Sequence, residues 1–133
     1  MQGETDLAVL IGGMKPRLRD GVYVFATLPP GQPAPPMVEP VMVFQEAEGC
    51  TFILTEGDAA KLGLDVTFRC RMITLEIHSA LEAVGFLAAI TTRLAASGMG
   101  VNPVSAFYHD HLFVPADRAE EAVALLEEMA REA

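Results

Sequence analysis

Basic residues are scarce in this sequence: nine lysines and arginines stand against eighteen aspartates and glutamates, a net charge of −9. The summed field of such a surface repels phosphate backbones and anionic lipid, which excludes nucleic acid and membrane surfaces as partners. Cysteine is scarce too. Cys50 and Cys70 lack C-x-x-C spacing, so neither a zinc ribbon nor a disulfide framework is signalled, and two buried strand thiols in a reducing compartment fit better. No apolar run approaches the length of a bilayer span, and the short run LAVLIGGM behind Glu4 and Asp6 lacks the basic leader of a signal peptide. A cytoplasmic protein is expected. Tryptophan is absent, yet hydrophobic residues make up 51% of the 133 and charged residues 20%, which excludes a disordered chain and is enough for a packed core.

What is present alternates between strand and helix patterns. Residues 6–14 can form a short helix, and GVYVFATL (residues 21–28) is rich in β-branched and aromatic residues and reads as a strand. The proline-rich stretch PPGQPAPPMVEP (residues 29–40) forbids regular structure. Its P-x-x-P spacings have no flanking basic residue, so it reads as a stiff connector rather than a polyproline ligand. Two apolar runs between residues 41 and 54, separated by EAEG, predict a hairpin in which Gly49 takes a positive φ. Thr55 and Asp58 open a helix of about two turns that Gly63 stops. VTFRCRMITLEIH follows as a long central strand, with Phe68, Cys70, Met72, Thr74 and Glu76 on one face and Arg71, Ile73, Leu75 and Ile77 on the other. Ser79 and Glu82 have the S-x-x-E spacing of a capping box and predict a helix that carries Ala83, Leu87, Ile90 and Leu94 and ends at Gly98. Two short strands then flank a turn at His109 and Asp110. Asp117 and Glu120 form a second cap-like pair before a last helix with Val123, Leu126 and Met129 inward.

An internal repeat emerges. PVMVFQEAEGCTFILTEGDAA and PVSAFYHDHLFVPADRAEEA both read as P-V-x-x-F, hairpin, strand and capped helix, which sets Pro40, Val41 and Phe44 against Pro103, Val104 and Phe107. Two such halves, each preceded by a strand, predict an α+β fold of two ferredoxin-like β-α-β-β-α-β units placed side by side with antiparallel sheets. The expected division is 1–69 and 70–133. The first unit is degenerate, because the proline-rich segment stands where its first helix belongs. The last helix has no strand after it, so a strand shared from elsewhere in the chain is expected to complete the second unit.

Two stretches could carry chemistry. The junction EIHSALEAVGFLAAI ends a strand and starts a helix, whose spare backbone amides and positive partial charge suit a carboxylate. Gly85, placed in the first turns of that helix, costs stability relative to alanine and would let a ligand or a neighbouring chain approach the backbone; close helix–sheet packing is the plainer alternative. The second stretch is His109-Asp110-His111. Two histidines without a third ligand are a weak metal signal, and Ser105, His109 and Asp110 have the letters of a catalytic triad without a geometry. The hairpin reading is preferred, and no metal, cofactor or catalytic residue is assigned. His78, His109 and His111 titrate near neutral pH and could couple affinity to pH.

The stretch HSALEAVGFLAAITTRLAASGMGVNPVSAFYHDHLFVPADRAEEAVALL resembles an ACT domain, on the Val84-Gly85 pair, the ASGMGVNPVSAF helix stop and strand, and the YHDHLFVP hairpin. GETDLAVLIGGMKPRLRDGVYVFATL and EAEGCTFIL extend the likeness to small stand-alone bacterial proteins of tandem ACT-like repeats. The resemblance implies a non-enzymatic regulatory protein that binds an amino acid at an interface between units or subunits, against residues 78–86 and 101–104. It nominates Ser79, Glu82, Val84, Gly85 and Phe86, with Asn102, as ligand-binding residues. Backbone amides near Val84 and Gly85 would hold the ligand carboxylate, Glu82 would pair with an ammonium, and Asn102 would both donate and accept. A homodimer is compatible with this reading. The rival readings are a structural interaction module that needs no ligand and a metal-dependent enzyme built on His109 and His111.

Overall fold

A computed structural model describes residues 3–133 of the chain. Four helices and seven strands follow in the order α1 (Leu7–Gly13), β1 (Pro16–Leu18), β2 (Tyr23–Leu28), β3 (Met42–Gln45), β4 (Cys50–Thr55), α2 (Glu56–Leu62), β5 (Thr67–Leu75), α3 (Phe86–Ala96), β6 (Asn102–Ser105), β7 (Asp110–Pro115) and α4 (Ala119–Glu132), with a 3-10 turn at Ala116–Arg118. The contacts group these elements into two units. Gly21–Cys70 forms one, and the segment ending at Asp20 forms the other with Arg71–Ala133. The expected division at 69 and 70 left α1 and β1 in the first unit, whereas here they group with the C-terminal residues; residues 1 and 2 lie outside the described part.

In the unit Gly21–Cys70 the strands run antiparallel in the order β3-β4-β2-β5. Its core is small: Val24, Ala26, Cys50, Phe52, Leu54 and Ala59. The period-2 pattern explains it, since alternate residues of β2 and β4 turn their apolar side chains to the α2 side. The Thr55 hydroxyl accepts from the Asp58 N–H at 3.2 Å, and Gly63 closes α2 in the left-handed region at φ 65°. The proline-rich residues form turns and no helix. This unit is therefore a ferredoxin-like unit that lacks its first helix. Two expectations change here. Gly49 does not have a positive φ; an added Cβ would lie 2.7 Å from the Leu28 carbonyl oxygen, so close backbone approach is what demands glycine. The strict alternation along β5 also fails. Between the pairs Tyr23↔Cys70 and Phe25↔Thr67 the register shifts, and Phe68 takes φ 55°, so a bulge resets which face each side chain meets.

The second unit is the fuller one. β5 contributes its later residues, followed by α3, β6, β7 and α4, in the strand order β5-β7-β6 with β1 on the free side of β5. β1 pairs antiparallel with β5 from Pro16↔Leu75 to Leu18↔Ile73. Thus the strand missing after α4 is supplied by β1, and the six elements β5-α3-β6-β7-α4-β1 make a complete ferredoxin-like unit. Thirteen buried residues form its core, among them Leu10, Ile73, Leu75, Ile90, Leu94, Leu112, Val114 and Leu126. Ile90 and Leu94 recur at helical spacing on α3 as expected, with Phe86 one turn earlier. Asp117 does not cap α4. It lies in the 3-10 turn, and the helix start carries instead an Arg118–Glu121 ion pair at 2.8 Å.

The hairpins also correct the register of the repeat. β3 and β6 are four residues long, β4 and β7 are six, and β4 and β7 share the same burial order, so Cys50 corresponds to Asp110 and Phe44 to Val104. Phe107 falls in the turn, three residues beyond the position that the P-V-x-x-F match gave it. Strand pairing, not letter identity, fixes equivalence.

Candidate functional site

The ten residues between β5 and α3 are held by the N-terminal segment rather than by helix formation. The Glu4 N–H donates to the His78 carbonyl at 2.8 Å, and the Ala80 N–H donates to the Glu4 carbonyl at 3.0 Å, which makes a parallel bridge between Glu4 and Ser79. Because that bridge commits the backbone around Ser79 to an extended path, Ser79 and Glu82 cannot form a capping box. The Ser79 hydroxyl donates to the Ala80 carbonyl instead. A turn closed by the Ala83 N–H and the Ala80 carbonyl then leads to Gly85. Gly85, expected inside the helix, is its N-cap, at φ 93° and ψ −10°. An added Cβ would meet only the Leu7 side chain, at 3.5 Å, so the backbone angle and not a close neighbour requires glycine.

This start leaves α3 open. Gly85 makes no side-chain cap, the first turn contains no acidic residue, and the first internal bond runs from Ala89 back to the Gly85 carbonyl. The amides of Phe86, Leu87 and Ala88 therefore have no helical acceptor. These three residues border a cavity of about 160 Å³ that lies between the residue 79–88 stretch and the β6–β7 hairpin. A cavity of roughly 150 Å³ accepts a guest the size of benzene, so the volume suits a small amino acid.

The hairpin supplies the other wall. Its turn is closed by the Ala106 N–H and the His109 carbonyl, with Ser105 and Asp110 paired across the last strand position. The tip is thus Phe107 and Tyr108, not His109 and Asp110 as expected. Asp110 alternates with Leu112 and Val114, the buried β7 residues of the helix-side core, and it is itself only 8% exposed. No side-chain hydrogen bond reaches its carboxylate among the described residues. The histidines are engaged elsewhere: His111 Nδ1 lies 2.9 Å from the Thr74 hydroxyl, and His109 Nδ1 lies 3.4 Å from the Ile77 carbonyl. Burial first, then the neighbouring His109, holds the His111 pKa below its ordinary value of 6.5, while Asp110 pulls the other way and Arg19 adds to the lowering.

The nominated residues are divided by this geometry. Ser79, Gly85 and Phe86 border the cavity together. Glu82 borders a neighbouring hollow of about 160 Å³ with Gly3, His78 and Phe107. Val84 is 84% exposed and borders neither, and Asn102 pairs with Phe113 at the far end of β6. Ser105 enters the sequence reading through the letters of a triad, and His109 and Asp110 also through the hairpin turn. All three border the cavity, yet no hydrogen bond links their side chains. The signal that could have singled out Asp110 is an acid in the strand register of Leu112 and Val114.

Elsewhere the reactive groups are quiet. Cys70 is buried, its Sγ lies 3.3 Å from the Tyr23 carbonyl, and burial pushes its pKa up to about 11, which removes the thiolate needed for nucleophilic work. Among the described residues no three His, Cys, Asp or Glu side chains gather as a metal site, and no helix is long and apolar enough to cross a membrane.

Two ferredoxin-like units in tandem, one lacking its first helix and one complete, define the class of fold. The chain belongs to the ACT domain family: one ACT profile matches residues 2–71 and a second matches residues 67–128. The two matches meet within β5. No curated protein matches the sequence. Among solved structures, a protein of unknown function from Vibrio cholerae, described as a possible transport protein, is 39% identical, with a TM-score of 0.85 over 93% of this chain and 95% of that one. The regulatory subunits of aspartate kinase from Thermus flavus and Thermus thermophilus share the fold at 13% identity, with TM-scores of 0.63 and 0.61, each over 86% of this chain and 96% and 95% of theirs.

Proposed function

We propose that this protein is a regulatory, non-catalytic amino-acid sensor of the cytoplasm, and that its ligand binds at the start of α3. The observation that carries this reading is the opening of an uncapped helix N-terminus, free of first-turn acids, onto a cavity of about 160 Å³ in an ACT chain. The ligand carboxylate takes the amides of Phe86, Leu87 and Ala88, with Ser79 and Gly85 beside it. Of the other nominated residues, Glu82 borders the neighbouring hollow, and Val84 and Asn102 make no direct contact at this position. Regulation follows if the ligand favours one of two conformations or one of two association states.

The exposed apolar residues Leu81, Val84, Phe107 and Tyr108, of which Leu81 borders the cavity, favour a second chain as cover for this region, which makes a homodimer part of the proposal. They also support the rival reading of an interaction module without ligand. Thermal unfolding against each common amino acid separates the two, because a ligand that binds only the folded state raises the midpoint with concentration. A selective, saturable rise that Ala88→Trp abolishes supports the sensor; Ala88 is an exposed helical position at the cavity, so the variant should fold. No rise with any amino acid at millimolar concentration, with an unchanged dimer, favours the interaction module.

A further inference from the structure

The structure assigns to Asp110 the recognition of a cationic amine: we propose that its carboxylate pairs with the ammonium group of the ligand bound at α3, so that the site takes zwitterions and rejects plain carboxylates. This rests on the amino-acid reading above and names the group that makes it selective.

Three observations converge. Asp110 is more than nine-tenths buried, it borders the cavity, and its carboxylate accepts no side-chain hydrogen bond among the described residues. The residue is buried but its carboxylate oxygens are not sealed from solvent, so they are open to a cationic partner that enters the cavity. Second, no hydrogen bond joins the start of α3 to the Asp110 carboxylate, although Phe86, Leu87, Ala88 and Asp110 all border the same small space. The cavity thus offers a positive and a negative wall, and an α-amino acid carries the two opposite charges in one small group. Third, the other helices satisfy their N-termini locally: Asp6 caps α1, Thr55 caps α2 beside Glu56 and Asp58, and α4 carries Glu120 and Glu121 in its first turn. Among the described helices only α3 has neither a side-chain cap nor a first-turn acid. The sequence has placed its acid on the opposite strand, where it faces the cavity.

His109 and His111 do not replace a ligand ammonium. They flank Asp110 in sequence, and their Nδ1 atoms are directed to the Ile77 carbonyl and the Thr74 hydroxyl.

The test uses the full chain and three probes: the amino acid giving the largest thermal shift, the same molecule lacking its amino group, and the same molecule lacking its carboxylate. Wild type should bind the first and bind the other two weaker by about 10- to 100-fold, the range for loss of one charged hydrogen-bonded group. Asp110→Asn keeps the side-chain shape; it should fold with an unchanged or raised unfolding midpoint in the absence of ligand and should bind the amino acid no better than the amine-free acid. If wild type binds the amine-free acid as tightly as the amino acid, the proposal falls while the carboxylate site at α3 stands. If Asp110→Asn still prefers the amino acid, or lowers the ligand-free midpoint by several degrees, the carboxylate serves the fold and the proposal is overturned. If no amino acid binds wild type, the sensor reading fails and this inference fails with it.

Discussion

The two hairpins of this protein share one plan and differ at one telling position. β3–β4 and β6–β7 have equal strand lengths, equal four-residue turns and the same burial order along the second strand, yet the first residue of that strand is Cys50 in one and Asp110 in the other. Cys50 packs in a small core beside a proline-rich segment that forms no helix. Asp110 stands in the unit where that position of the fold is occupied by α3. A buried acid is tolerable where helix dipoles and an incoming cation can face it, and a thiol is the safer residue where neither is available. The difference teaches that a repeat can retain its packing in both copies while one buried strand position changes from a thiol to an acid.

The largest expected effect comes from moving the acid. Cys50→Asp puts a carboxylate where no helix start is built, and it should cost about 3–5 kcal/mol, the range for an uncompensated buried charge, seen as a lower urea midpoint. A variant as stable as wild type would show that the two positions are equivalent and break the comparison. The next effect contrasts two glycines. Gly85→Ala, at φ 93°, should destabilise by about 1–2 kcal/mol and weaken ligand binding, whereas Gly57→Ala, inside α2 with no atom within 4 Å, should stabilise by about 0.4–1 kcal/mol. Thermal denaturation of both variants reads this directly, and equal signs would contradict it. The smallest effect is in pH. His111 has a folded pKa below its ordinary value, so the unfolded chain binds its proton first; the stability it contributes is whole above about pH 6.5 and declines as pH falls below that. His111→Asn should flatten the stability profile between neutral and mildly acidic pH, and Thr51, its counterpart on β4, has no titration to lose.

Much of this arrangement was legible in the sequence. Local signals with one physical meaning placed their elements correctly: Thr55 and Gly63 bracket α2, the prolines exclude a helix before β3, and the β-branched and aromatic run marks β2. The failures share a cause. Ser79 and Glu82 have a capping spacing, but Glu4, far off in sequence, pairs with the backbone around Ser79 and delays the helix to Phe86. Gly49 was given a turn angle when a distant carbonyl, that of Leu28, decides its identity. Asp110 reads as part of a histidine motif in the sequence because its burial depends on strand pairing that letters do not display. What was missed was set by residues remote in the chain.

β1 precedes the unit Gly21–Cys70 in the chain but completes the other unit, to which α1 also belongs. One unit is therefore nested within the sequence of the other, and synthesis on the ribosome meets them unequally. The inner unit is finished as soon as Cys70 has emerged, by contacts local to its own span. The outer one must hold its first helix and strand in waiting until β5, α3 and α4 have been made, so it closes later than the inner unit.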